Sequence, residues 1–113
     1  MKHKKFRFGK GFYVAVGNKR SQAAQMVLES GETEGGADNH HGGADQWLYV
    51  VSGSGVAIIE GRRTALLPDT LILIERGENH EIRNTGKTSL RTVNIYVPPA
   101  YKKNGDALPP GKP

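Results

Sequence analysis

Cysteine is absent from the 113 residues, so neither a disulfide nor a thiolate-bound metal can staple the fold. Long apolar runs are missing as well. The hydrophobic residues, 36% of the chain, fall into short blocks, YVAV, MVLE, WLYVV, VAII, LILI and TVNIYV. None approaches the roughly 18 apolar residues of a spanning helix. The start, MKHKKFRFGK, has no continuous apolar stretch for a signal peptide, so the expectation is a cytoplasmic protein with no membrane partner. Helix-length amphipathic segments are nearly lacking too. The exception is SQAAQMVLESGE, where Ser21 could cap a helix carrying Ala24, Met26, Val27 and Leu28.

Acidic residues are outnumbered, 11 Asp and Glu against 16 Lys and Arg, for a net charge of +5. The basic residues are scattered from Lys2 to Lys112, and only Phe6 and Phe8 interleave aromatics with them. A single-strand nucleic-acid platform needs a basic stripe with several stacking rings. Nucleic acid is therefore not the favoured partner: the charge reads first as a solvated face, with attraction of an acidic small molecule as the middle reading.

Fifteen glycines and six prolines punctuate the chain at the spacing of short strands in an all-β sandwich or barrel. That architecture predicts strand, against local propensity, for residues 21–29. Ser52-Gly53-Ser54-Gly55 reads as a hairpin turn between two apolar runs, and Glu60-Gly61-Arg62-Arg63 as a second turn. Leu71 to Ile74 reads as a strand and Arg76-Gly77-Glu78-Asn79 as a turn. His80, Ile82 and Asn84 then alternate on one face of the next strand. SLRTVNIYVPP supplies another, stopped by Pro98 and Pro99. Residues 1–100 are read as one barrel domain, and residues 101–113, rich in Lys, Gly and Pro, as an extended or disordered tail.

Four histidines occur, two of them in NHHGGADQW and a third in ENHEIRN. Residues two apart in a strand share a face, so Asn39 and His41 can look into one space while His40 looks away. His3 stands apart in the basic N-terminus. Trp47 and Tyr49 alternate with Gln46 and point away from it, toward a second sheet or subunit.

The spacing resembles the cupin superfamily. Its first motif runs Gly, five residues, His-x-His, three or four residues, Glu, six residues, Gly; its second runs Gly, five residues, Pro-x-Gly, two residues, His, three residues, Asn. Asn39-His40-His41, Gln46 and Gly53 align with the first, and Glu75-Arg76-Gly77, His80 and Asn84 with the second. The chain departs from the pattern at Thr33, Asp69 and Glu75, and, within the metal set, at Asn39 and Gln46. The resemblance implies an all-β double-stranded β-helix, or jelly-roll barrel, and a homodimer. It also implies that Asn39, His41, Gln46 and His80 project into the barrel mouth as ligands of a divalent transition metal: Fe, Mn, Ni or Zn. The alternative is a barrel that has lost its metal and keeps His41 and His80 as hydrogen-bonding groups of a ligand pocket.

A Gln at the Glu position is similar to the small cupins that linearise unsaturated uronates. Their polar residue and aromatic on a late strand resemble Asn94-Ile95-Tyr96, which makes Asn94 and Tyr96 candidate ligand-binding residues. The implied functions are a metal-dependent enzyme acting on a carbonyl or sugar-acid substrate, or a non-catalytic binder of a small anionic ligand.

Overall fold

The computed structural model describes residues 1–36 and 43–102. Among these there is no helix, and hence none long and apolar enough to cross a membrane. Nine strands are present: β1 (Gly11–Gly17), β2 (Gln22–Leu28), β3 (Thr33–Gly36), β4 (Asp45–Ser52), β5 (Gly55–Ile59), β6 (Arg62–Leu66), β7 (Leu71–Ile74), β8 (His80–Arg83) and β9 (Leu90–Val97). They form a five-stranded sheet, ordered β1-β2-β9-β4-β7, facing a four-stranded sheet, ordered β3-β8-β5-β6. All strand pairings among the described residues are antiparallel. This is the jelly-roll barrel that the motif spacing implies.

Alternation builds the interior. In β4, Gln46, Leu48 and Val50 are buried while Trp47, Tyr49 and Val51 are exposed. In β9, Leu90, Thr92, Asn94 and Tyr96 are buried. Met26, Leu28, Leu48, Val50, Ala57, Leu66, Ile74, Ile82 and Leu90 form one apolar cluster between the sheets. Burying such side chains contributes roughly 1.5–3 kcal/mol each, which is what replaces the missing disulfides.

Residues 22–28 are strand, as the barrel requires. Ala24, Met26 and Leu28 lie opposite Asn94, Thr92 and Leu90 of β9, and the other face is covered as well. The N-terminal arm crosses it: the Phe8 amide donates to Gln25 Oε1 at 2.9 Å, and Gln25 Nε2 donates to the Gly9 carbonyl at 2.7 Å. Pairing on both edges and cover on both faces outweigh the helix propensity of this segment.

One expectation needs correction. Ser52 to Gly55 is not a hairpin turn, because β4 pairs with β7 and β9 whereas β5 pairs with β6 and β8. It is a corner where the chain passes from one sheet to the other. Gly53 has φ +88°, and a Cβ there would lie 2.3 Å from the Ser89 carbonyl oxygen. An apolar run, a Gly-Ser turn and a second apolar run look alike in sequence whether or not the strands pair. The true hairpin joins β5 to β6 through Glu60 and Gly61, both at positive φ.

Beyond β9, Ala100 and Tyr101 are held against β2. Gln22 Oε1 accepts from the Ala100 and Tyr101 amides at 3.2 and 3.1 Å, and its Nε2 donates to the Tyr101 carbonyl at 2.7 Å. Tyr101 packs against Phe12 and Tyr96, with ring centroids 4.6 and 5.0 Å away. One side-chain amide thus ties the returning chain to β2.

Candidate functional site

Strand register brings Gln22, Tyr96, Gln46 and Ile74 into one rung across the five-stranded sheet. On the facing sheet, Gly36, His80, Ile59 and Arg62 share a rung. Gln46 and His80 are both 3% exposed. Each sits on the inward face of its sheet, as alternation from the apolar core dictates. Asn39, His40 and His41 lie outside the described residues. Among the described residues, no three His, Asp or Glu side chains gather into a metal-holding group.

Gln46 Nε2 donates to Asn94 Oδ1 at 2.9 Å, and Asn94 Nδ2 donates to Thr92 Oγ1 at 3.0 Å. The Thr92 hydroxyl in turn donates to the Met26 carbonyl at 2.8 Å. Gln46 Oε1 is buried and has no hydrogen-bond partner among the described residues. Leaving a buried acceptor unmet costs about 1–3 kcal/mol, and a carbonyl oxygen is a donor atom that hard and borderline cations accept. The oxygen therefore fits a cation.

His80 Nδ1 lies 3.3 Å from the Glu78 carbonyl oxygen. In the tautomer with its proton on Nδ1 this contact is a hydrogen bond to the carbonyl, and Nε2 carries the lone pair. Asn84, the last residue of the second motif, has a structural task instead. Its Nδ2 donates to the Leu28 and Thr88 carbonyls, each at 2.8 Å, and its Oδ1 accepts from the Gly86 amide at 2.9 Å.

Asn94 is fully buried and stands behind Gln46, held by Gln46 and Thr92. Tyr96 forms part of an aromatic end wall with Phe12 and Tyr101. Burial, then the Tyr101 phenol and the Glu34 carboxylate, hold the Tyr96 pKa well above the usual tyrosine value. Burial and Glu34 also raise that of Tyr101, against the hydrogen bond from Tyr96. Thr92 and Glu34 were not visible in the spacing of the histidines. The signal for Thr92 is a polar residue at every second position of Thr92-x-Asn94-x-Tyr96, which marks an inward strand face that is polar rather than apolar. Glu34 lies opposite Ile82 in strand register.

Comparison with known proteins agrees with this geometry. The family model described as a cupin domain matches residues 24–96. The tetracenomycin polyketide synthase protein TcmJ of Streptomyces glaucescens is 30% identical over 79 residues, which is 70% of this chain and 52% of that protein. The chain thus spans about half the length of TcmJ. An oxalate-binding protein of Thermotoga maritima is 29% identical over 83 residues, covering 74% of this chain and 67% of the relative. Among solved structures, BH2720 from Bacillus halodurans superposes with a TM-score of 0.79 at 25% identity, covering 90% of this chain and 78% of that one. With its two facing antiparallel sheets and the family match running from β2 through β9, the chain belongs to the cupin family.

Proposed function

We propose that the barrel mouth binds a divalent transition-metal ion, Fe, Mn, Ni or Zn, and through it a small anionic ligand. Gln46 Oε1 and His80 Nε2 are the donors among the described residues, with Asn39 and His41 completing the set. The observation that carries this reading is the buried Gln46 Oε1 that no group among the described residues meets. Imidazole nitrogen and amide oxygen suit all four ions. Neutral ligands leave the ion's charge uncompensated, so the remaining positions favour an anion such as a carboxylate. The name of the oxalate-binding relative belongs to that chemical class.

A second reading, turnover of a carbonyl or sugar-acid substrate in the same pocket, is favoured by Tyr96. It neighbours Gln46 in register and keeps its phenolic proton far past neutrality. A bound ion would supply polarisation of the substrate oxygen. The protein is read as a cytoplasmic homodimer whose barrel is a single domain.

The test uses untagged protein stripped with a chelator and titrated separately with Fe²⁺, Mn²⁺, Ni²⁺ and Zn²⁺. At least one ion is expected to bind at one equivalent per chain and raise the melting temperature, with oxalate raising it further. His80→Ala should abolish the shift. Gln46→Glu should tighten binding, because a carboxylate neutralises charge that an amide does not. Absence of binding by all four ions would rule the metal reading out.

A further inference from the structure

An amide can face a pocket with either of two opposite groups, a carbonyl oxygen that accepts or an NH2 that donates. Only the oxygen can hold a cation. Shape alone does not choose between them, because the two ends are nearly the same size. The hydrogen-bond chain behind Gln46 does choose.

The chain starts at the Met26 main-chain carbonyl, which can only accept. Thr92 Oγ1 lies 2.8 Å from it, a distance at which two oxygens repel unless a proton lies between them. The single hydroxyl proton of Thr92 is therefore committed to Met26, and Thr92 can only accept from its other neighbour. That neighbour, the Asn94 group 3.0 Å away, must be the NH2. Asn94 Oδ1 then points at Gln46, so the Gln46 group 2.9 Å from it must be Nε2. What is left for the pocket is Gln46 Oε1, the buried atom without a partner among the described residues.

We propose that Thr92 and Asn94 are positioning residues, which transmit the polarity of the Met26 carbonyl to Gln46 so that it presents an oxygen to the pocket. The inference rests on the metal reading only for its use, not for the direction of the hydrogen bonds. Gln46, Asn94 and Thr92 are 3%, 0% and 0% exposed, so water does not reverse the chain. A Glu in place of Gln46 would present an oxygen whichever way it turned, and the device would only set Asn94 Oδ1 against the carboxylate. The relay is therefore a requirement that arises with the amide.

Thr92→Val removes the hydroxyl at constant shape, freeing both amides to turn over. In the wild-type background it should weaken Ni²⁺ binding, read by calorimetry, by at least about twofold, the loss when half the molecules present NH2. Thr92→Ser, which restores the hydroxyl, should restore the affinity. In the Gln46→Glu background, Thr92→Val should not weaken Ni²⁺ binding, because it lets Asn94 turn its NH2 toward the carboxylate. An equal loss in both backgrounds, or none in the wild-type background, overturns the proposal.

Side-chain amide NMR reads the polarity without metal. Wild-type protein should show one set of Gln46 and Asn94 NH2 resonances with slowed solvent exchange, and Thr92→Val a doubled or broadened set. Identical spectra for the two proteins, or Gln46 protons that exchange like those of an exposed glutamine, would overturn the relay even where metal binds. If neither the wild type nor Gln46→Glu binds any of the four ions, the metal reading fails while the spectra still decide the relay.

Discussion

Burial of the Tyr96 phenol against Tyr101, with the Glu34 carboxylate acting on both, ties the stability of the barrel to alkaline pH. The folded-state pKa of Tyr96 lies well above its ordinary value of 10.0. Below pH 10 both folded and unfolded chains keep the proton, and this group contributes no slope. As pH rises above 10 the unfolded chain loses the proton and the folded chain retains it, so stability falls until the folded-state pKa is passed. One fully buried phenol contributes about 1.4 kcal/mol per pH unit in that window. Urea unfolding followed by circular dichroism from pH 8 to 11.5 should therefore show a flat region and then a decline. Tyr96→Phe should be about 1 kcal/mol less stable at pH 8, through loss of the hydroxyl's bond to Tyr101. Its decline above pH 10 should be much shallower. An equally steep decline in the variant would place the titrating group elsewhere.

At the scale of strands and corners, the tightest constraint is the passage from β4 to β5. Gly53 combines φ +88° with a carbonyl oxygen 2.3 Å from where a Cβ would sit, and a Cβ at Gly55 would lie 2.2 Å from the Arg83 carbonyl oxygen. Gly53→Ala is expected to destabilise by about 2 kcal/mol or more, the combined effect of left-handed backbone and a backbone clash. Gly61→Ala, also at positive φ but with open space around it, should lose only the conformational part. Comparing their unfolding midpoints checks the corner directly; equal losses would mean that the close approach is relieved at no cost. These glycines were legible as turns but not as a corner, because periodicity records which face a side chain takes and not which strand lies beside it. The same limit explains Thr33–Gly36. Its sequence, TEGG, has no strand signature, and pairing to β8 makes it one. The inward placement of Gln46 and His80 was legible, since it needs only alternation and spacing. The Thr92-Asn94-Gln46 chain was not, since it joins residues 48 apart through strand pairing.

At the scale of the whole molecule, the N-terminal arm crosses β2, whereas the β7, β4 and β9 part of the five-stranded sheet's outer face is exposed. Two rungs cross it: Leu73, Trp47 and Ile95 in one, Leu71, Tyr49 and Val93 in the next. Trp47 and Leu73 are each 40% exposed and Leu71 is 56% exposed. No charged side chain stands within these rungs. A chain of net charge +5 repels its own copies, so an apolar strip whose charged neighbour at Tyr49 is the Asp69 carboxylate is where two copies can meet with little electrostatic cost. A flat sheet face also matches itself about a two-fold axis, each rung meeting its counterpart, which closes the assembly at two. The expected solution state is a dimer by light scattering at micromolar concentration. Trp47→Glu or Leu73→Lys should each shift it to monomer while circular dichroism stays that of an all-β protein, because both side chains point away from the interior. A wild-type protein that remains monomeric at the highest soluble concentration would show that this strip serves another purpose. A dimer that survives both substitutions would place its interface on a different face.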